Sequence, residues 1–207
     1  MKTFFRPLHA AATGVGVVAL VALFFQPAIS QESAPSSASE IRFTSDNRLE
    51  FPANYRDWIF LSSGHGMTYG PSANPNGPPF FDNVFVNPSA YRHFTKSGRW
   101  PDKTIFVLEI RAAASEGSIN KGGQFQRDVA AIEVEVKDLK HCADTDGWGY
   151  FAFEADHKPA TKLTATESCY ACHSKNGAVE HTFVQFYPTL ISVAMSHNTL
   201  NTADGAK

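Results

Sequence analysis

Cysteine is scarce: three residues in a chain of 207. That excludes a disulfide-dense scaffold, and it excludes a four-cysteine zinc or iron–sulfur centre built from this chain alone. Neither sign of charge is in excess, since 18 Lys and Arg stand against 20 Asp and Glu for a formal charge of −2. No basic surface therefore points to a nucleic-acid partner. Internal repeats and linker-like stretches are also missing from the body of the chain, so a single domain is expected. What is plentiful is phenylalanine, with 17 residues, and so many rings need a core or a cofactor pocket to enter.

Lys2 and Arg6 precede an uncharged apolar run from Ala10 to Phe25, which ends in Gln26-Pro27-Ala28-Ile29-Ser30. A basic start, an apolar centre and a small-residue end read as a Sec-type signal peptide over residues 1–30, cleaved near Ser30. The run is Gly-interrupted, stops at Pro27 and falls short of the roughly 20 residues a span requires. The expectation is an exported, periplasmic protein that does not span the membrane once cleaved. Residues 31–48 read as a flexible lead-in, at first rich in Ser, Ala and Pro. Residues 49–195 form the folded domain and 196–207 a tail.

Within the domain, Tyr55 to Leu61 reads as a helix passing into a strand, followed by a Gly/Pro-rich loop from Ser62 to Pro79. Val84-Phe85-Val86 is a short strand. Pro88 to Gly98 is a helix, with Pro at its first position and Gly closing it. Thr104 to Ile110 is β-branched and aromatic. In the segment 130–136, Ala130, Ile132, Val134 and Val136 turn inward, which sends Glu133, Glu135 and Lys137 outward to solvent. Trp148 to Phe153 is a further strand, and helices are expected around Ser168–His173 and after Pro188. Strands joined by loops favour antiparallel pairing. The fold class is α+β, a mostly antiparallel sheet with flanking helices.

The chemistry concentrates in Cys169-Tyr170-Ala171-Cys172-His173, the c-type haem attachment pattern. Residues three and four apart share a helical face. Cys169 and Cys172 can each form a thioether with a haem vinyl group, and His173 follows to ligate the iron. Attachment takes place in the exported compartment that the N-terminus specifies, so two independent features agree. A thioredoxin-like pair would lie early in a βαβ unit, and zinc would need more ligands than His173 and His181 add. One motif means one haem c. The remaining Cys142 reads as a small buried hydrophobe or, less simply, a reactive thiol.

From Cys169 to Leu190 the chain resembles the cytochrome P-460 family, which includes cytochrome c′-beta. Phe51-Pro52-Ala53-Asn54-Tyr55-Arg56-Asp57-Trp58, Val84-Phe85-Val86-Asn87-Pro88 and Thr104 to Glu109 look like the same family in the same order. The resemblance implies an antiparallel sheet with flanking helices, a homodimer, and one c-haem ligated by the motif histidine with its distal side open to small ligands. Some members oxidise hydroxylamine, with nitric oxide as a second substrate in some, and carry a lysine bonded to the haem edge. The c′-beta members lack that bond and bind nitric oxide or carbon monoxide beneath a Phe cap. Here ungapped matching places Leu108 at the cross-linking position and Asp82 at the distal arginine of the enzymes. Lys103 and Lys121 are nearby in sequence, and either could cross-link only in another register.

If Leu108 faces a haem, so does Phe106, because alternate strand residues share a face. Phe80 and Phe81 follow the loop and could close the same pocket, or all three rings could be plain core. Met67 is the foremost candidate for a sixth ligand, with His65 and Met195 behind it. Glu133 is a candidate proton carrier in N–O chemistry, against a default role on a solvated face. Three functions compete: binding of nitric oxide or a related ligand, oxidation of hydroxylamine or turnover of nitric oxide, and electron transfer with a redox partner cytochrome.

Overall fold

The computed structural model describes residues 41–69, 77–165 and 168–201. The expected signal peptide, the first part of the lead-in, the middle of the Gly/Pro-rich loop and the end of the tail lie outside the described residues. Five strands, β1 (Ile59–His65), β2 (Phe80–Val86), β3 (Ile105–Ala114), β4 (Phe125–Lys137) and β5 (Trp148–Phe153), form one sheet in sequence order. Every pairing is antiparallel. Among the described residues three helices, α1 (Pro88–Ser97), α2 (Ser168–Asn176) and α3 (Ile191–Ser196), complete an α+β fold. No helix among the described residues is long and apolar enough to cross a membrane.

Register lines the sheet up in rows. Val86, Phe106, Glu135 and Tyr150 stand opposite one another across β2, β3, β4 and β5. Two residues along, Val84, Leu108, Glu133 and Ala152 form the next row on the same face. This face buries Phe106 and Tyr150 with Phe94 of α1, Leu190, and Ala194 of α3, and Cys169 and Tyr170 of α2 pack against the cluster. Phe94 meets the Trp100 ring at 4.1 Å, and Trp100 meets Phe106 edge-on at 4.8 Å.

The opposite face buries Ile105, Val107, Ile132, Val134, Val136, Phe151 and Phe153 under Leu49, Tyr55 and Trp58. Ile41 and Phe43 of the expected lead-in also pack there, so the packed region begins ahead of Leu49. Of the three side chains that alternation sends outward, Glu133 is exposed as expected, whereas Glu135 is buried and Lys137 half-buried where helices cover that face. Alternation says which residues share a face; it does not say that the charged face stays bare.

Three local devices hold the scaffold. Asn87 accepts from the Ile105 N–H at 3.1 Å and donates to the Lys103 carbonyl at 3.2 Å, fastening the start of α1 to the start of β3. Gly98 ends α1 at φ +66°, its N–H donating to the Phe94 carbonyl at 2.8 Å; glycine takes this left-handed cap without a Cβ penalty. Ahead of the first strand the expected passage from helix to strand is made by one 3-10 turn, Tyr55–Asp57, with β1 starting at Ile59. Tyr55 and Arg56 are both drawn to Glu109 of β3, and Trp58 is already extended.

Candidate haem site

The motif residues fall on α2, where Cys169 and Cys172 sit one turn apart and partly exposed, the first packed against the apolar cluster. Asn176 steadies the turn, donating to the Cys172 carbonyl at 2.9 Å and approaching its sulfur at 3.5 Å. His173 is held on three sides. Its ring lies 4.7 Å from Tyr150 and 4.4 Å from Phe183 between centroids. Its Nδ1 is 2.8 Å from the His181 carbonyl oxygen, which only a protonated Nδ1 can satisfy. In the neutral ring that fixes the tautomer and leaves Nε2 as the lone-pair nitrogen, the state a metal-ligating histidine needs.

The His181 carbonyl is aimed by a tight turn after α2. Gly177 makes the turn possible: a Cβ there would come within 2.8 Å of the His173 oxygen and of the His181 carbonyl carbon. The Ala178 N–H donates to the Thr182 carbonyl at 2.9 Å, and Thr182 donates back to Val179 at 3.0 Å. Thr182 Oγ1 then accepts from the buried Trp100 Nε1 at 2.9 Å. The turn is thereby tied to the core under α1.

On the sheet beneath, Glu135 Oε1 stands 3.4 Å from His173 Nδ1 and accepts from the Tyr150 hydroxyl at 3.2 Å. Burial pulls the His173 imidazole pKa down, but the Glu135 charge and hydrogen bonds outweigh it and raise it above the ordinary value. His181 differs: burial lowers its pKa, and its ring stacks on Tyr170 at 5.5 Å.

Further along the same face lie Leu108, opposite Glu133, and Asp82, opposite Ile110. The Tyr69 hydroxyl is 3.5 Å from Asp82 Oδ2, and Asp82, Glu133 and Cys172 all act on Tyr69 electrostatically. Desolvation raises the Asp82 carboxyl, and it raises Glu133 with help from Asp82 against the pull of His173. Glu133 keeps access to solvent even so. Met67 folds its thioether over Gly64, beside Asp82.

The structure thus brings Cys169, Cys172, His173, Phe106, Leu108 and Glu133 to one side of the sheet. It does not bring Phe81 there. By the two-residue period Phe80, Asp82, Val84 and Val86 face the helices, while Phe81 turns to the other side and packs its ring 4.4 Å from His65. Glu135, Tyr69 and the His181 carbonyl escape sequence reasoning. Strand alternation places Glu135 on the face of Glu133 but carries no signal that it is buried against His173, and a backbone carbonyl leaves no residue-type signal. Cys142 is fully buried against β5 at Gly149, and burial raises its thiol to about 11, the behaviour of an inert core residue.

The residue set fits a haem. It offers two cysteines on one helical turn, a histidine with Nε2 left over, and half-buried Val84 and Leu108 on the same sheet face, while Phe106 of the neighbouring row is core, covered by the Trp100 and Tyr187 rings. No curated protein matches the chain. The family model of cytochrome P460 matches residues 52–184, from just before the first turn through α2 and the turn behind His173. The chain belongs to the cytochrome P460 family, a family of haem c proteins.

Proposed function

We propose that the chain is an exported cytochrome carrying one haem c on Cys169 and Cys172, with His173 as axial ligand and the opposite coordination position open to nitric oxide or a related small N-oxide or diatomic ligand. The observation that carries the reading is Leu108: it shares a face with Phe106 on β3, where the resemblance places a cross-linking lysine. Leucine cannot form that bond. Export and a periplasmic location rest on the basic and apolar N-terminus, and homodimerisation on the family resemblance.

When bound, the haem would supply a ligand-binding iron and a one-electron couple. The protein does the rest. Cys169 and Cys172 hold the group without a deep pocket, and His173 is oriented by the His181 carbonyl. Asp82 and Glu133 disfavour anions on the ligand side by like charge, while a neutral diatomic pays no such cost.

A second reading, oxidation of hydroxylamine or turnover of nitric oxide, is favoured by the group Tyr69, Asp82 and Glu133. Carboxyls raised by desolvation can accept and release a proton close to a bound substrate. The third, electron transfer, has only Met67 in its favour.

The test is an absorption titration of the purified holo-protein, ferric and ferrous, with nitric oxide and carbon monoxide, alongside hydroxylamine turnover with an artificial acceptor. A high-spin spectrum that converts on adding gas, without turnover, is the expected result. Turnover together with a strongly red-shifted ferrous Soret band would put the enzyme first. A low-spin spectrum indifferent to both gases would leave an electron carrier.

A further inference from the structure

Among the described residues three buried carboxylates are set into the fold, and two of them are matched by cations. Glu109 receives Arg56, Arg111 and the Tyr55 hydroxyl. Asp138 receives Lys103 and His141. Glu135 differs. Its side chain is about one-tenth exposed, and it stands in the row between Phe106 and Tyr150. The nearest lysine on its own strand face, Lys137, is turned away to Glu180 at 2.6 Å and the Trp100 carbonyl at 2.7 Å. Among the described residues the ion-pair neighbour of Glu135 is the His173 ring.

His173 does not need Glu135 for its orientation, because Nδ1 already donates to the His181 carbonyl at 2.8 Å. The Tyr150 hydroxyl donates to Glu135 Oε1 at 3.2 Å, but a neutral amide oxygen would accept that bond as well. A buried charge without a cationic partner is costly, so the hydrogen bond alone does not call for a carboxylate. What the position supplies is negative charge against the back of an imidazole, in surroundings of Tyr150 and Phe183 that screen it poorly.

We infer that Glu135 sets the electron affinity of the haem iron through His173, holding the couple toward the ferric state. The inference rests on the reading of His173 as axial ligand. A nearby negative charge makes the imidazole a stronger donor and favours the oxidation state with the extra positive charge. Glu135 touches no ligand of the open side; it is a positioning residue, acting at second hand.

The experiment compares holo-protein of the wild type with Glu135→Gln, which removes charge and keeps shape, and Glu135→Asp, which keeps charge. Glu135→Leu replaces the Gln variant should that one fail to accumulate. Two readouts are taken: the midpoint potential by spectroelectrochemical titration, and the ferrous iron–histidine stretch by resonance Raman. The neutral variant is expected to shift the ferric/ferrous equilibrium toward ferrous by on the order of tenfold, about 59 mV for a one-electron couple, and to lower the stretching frequency. The Asp variant is expected to stay near the wild type. An unmoved potential and frequency in the neutral variant would overturn the inference, as would an Asp variant displaced as far as Gln. A wild type with no iron–histidine band would instead overturn the ligation by His173, and the role of Glu135 with it.

Discussion

Thr182 ties the turn behind His173 to the core, and Thr182→Val isolates that tie. The side chain is fully buried. Its hydroxyl accepts from Trp100 Nε1 at 2.9 Å and donates to the Val179 carbonyl at 2.8 Å. Valine keeps the shape and deletes the hydroxyl. The Val179 carbonyl retains the Thr182 N–H at 3.0 Å, so one group is orphaned, the Trp100 N–H, on a residue 2% exposed. A buried donor left unsatisfied costs about 1–3 kcal/mol, and the expected loss is about 2 kcal/mol. For a domain of this size that lowers Tm by roughly 4–8 °C. Urea unfolding of the holo-protein should show a lower midpoint at unchanged slope. Thr182→Ser, which keeps the hydroxyl, should lose less than half as much. A valine variant that unfolds at the wild-type midpoint would refute the reasoning, as would a serine variant that falls as far as valine.

Other outcomes follow from the same geometry. Burial raises the Glu109 carboxyl, but hydrogen bonds from Arg111, Tyr55 and Arg56 outweigh it and hold it at about 2, below its ordinary 4.5. A depressed pKa stabilises the fold above 4.5 and loses that contribution as pH falls toward 2. Glu109→Gln should therefore flatten the acid limb of a stability–pH curve, removing on the order of 3 kcal/mol of pH dependence; an unchanged limb would contradict the assignment. Gly177→Ala drives a Cβ against backbone atoms at 2.8 Å, which should cost about 1–3 kcal/mol. It should also disturb the His173 ring, read as a broadened iron–histidine band; a sharp wild-type band would count against the turn's role. The double variant Asp82→Asn with Glu133→Gln removes two carboxylates from the ligand side, and ferric affinity for azide should rise roughly tenfold, about 1.4 kcal/mol. Equal affinity in both proteins would mean those charges do not face the ligand.

The chain exposes some of this in its residues and hides the rest for physical reasons. Cys169-Tyr170-Ala171-Cys172-His173 is legible because its geometry is local: five residues on one turn contain the whole pattern. The strands at 105–110, 130–136 and 148–153 are legible through β-branched and aromatic composition. Their extensions are not, since Ala112–Ala114 and Phe125–Val129 carry no clean alternation where the sheet projects as a ribbon. Phe80 and Phe81 are adjacent on one strand and so face opposite sides of the sheet, and which side each takes depends on the pairing of β2 with β3, which composition does not encode. Charged residues alternate to one face of β4, but helices cover the Glu135 end of that face while Glu133 stays exposed, and there Glu135 meets the histidine. The partner of His173 Nδ1 is a main-chain carbonyl, set by the turn that Gly177 allows.

The most direct test of the central claim is mass spectrometry of the purified holo-protein under denaturing conditions, followed by digestion. The account predicts that one haem stays with the unfolded chain and is recovered on the peptide that contains Cys169, Cys172 and His173. Haem released into the solvent, or a haem-bearing peptide from another part of the chain, would contradict it.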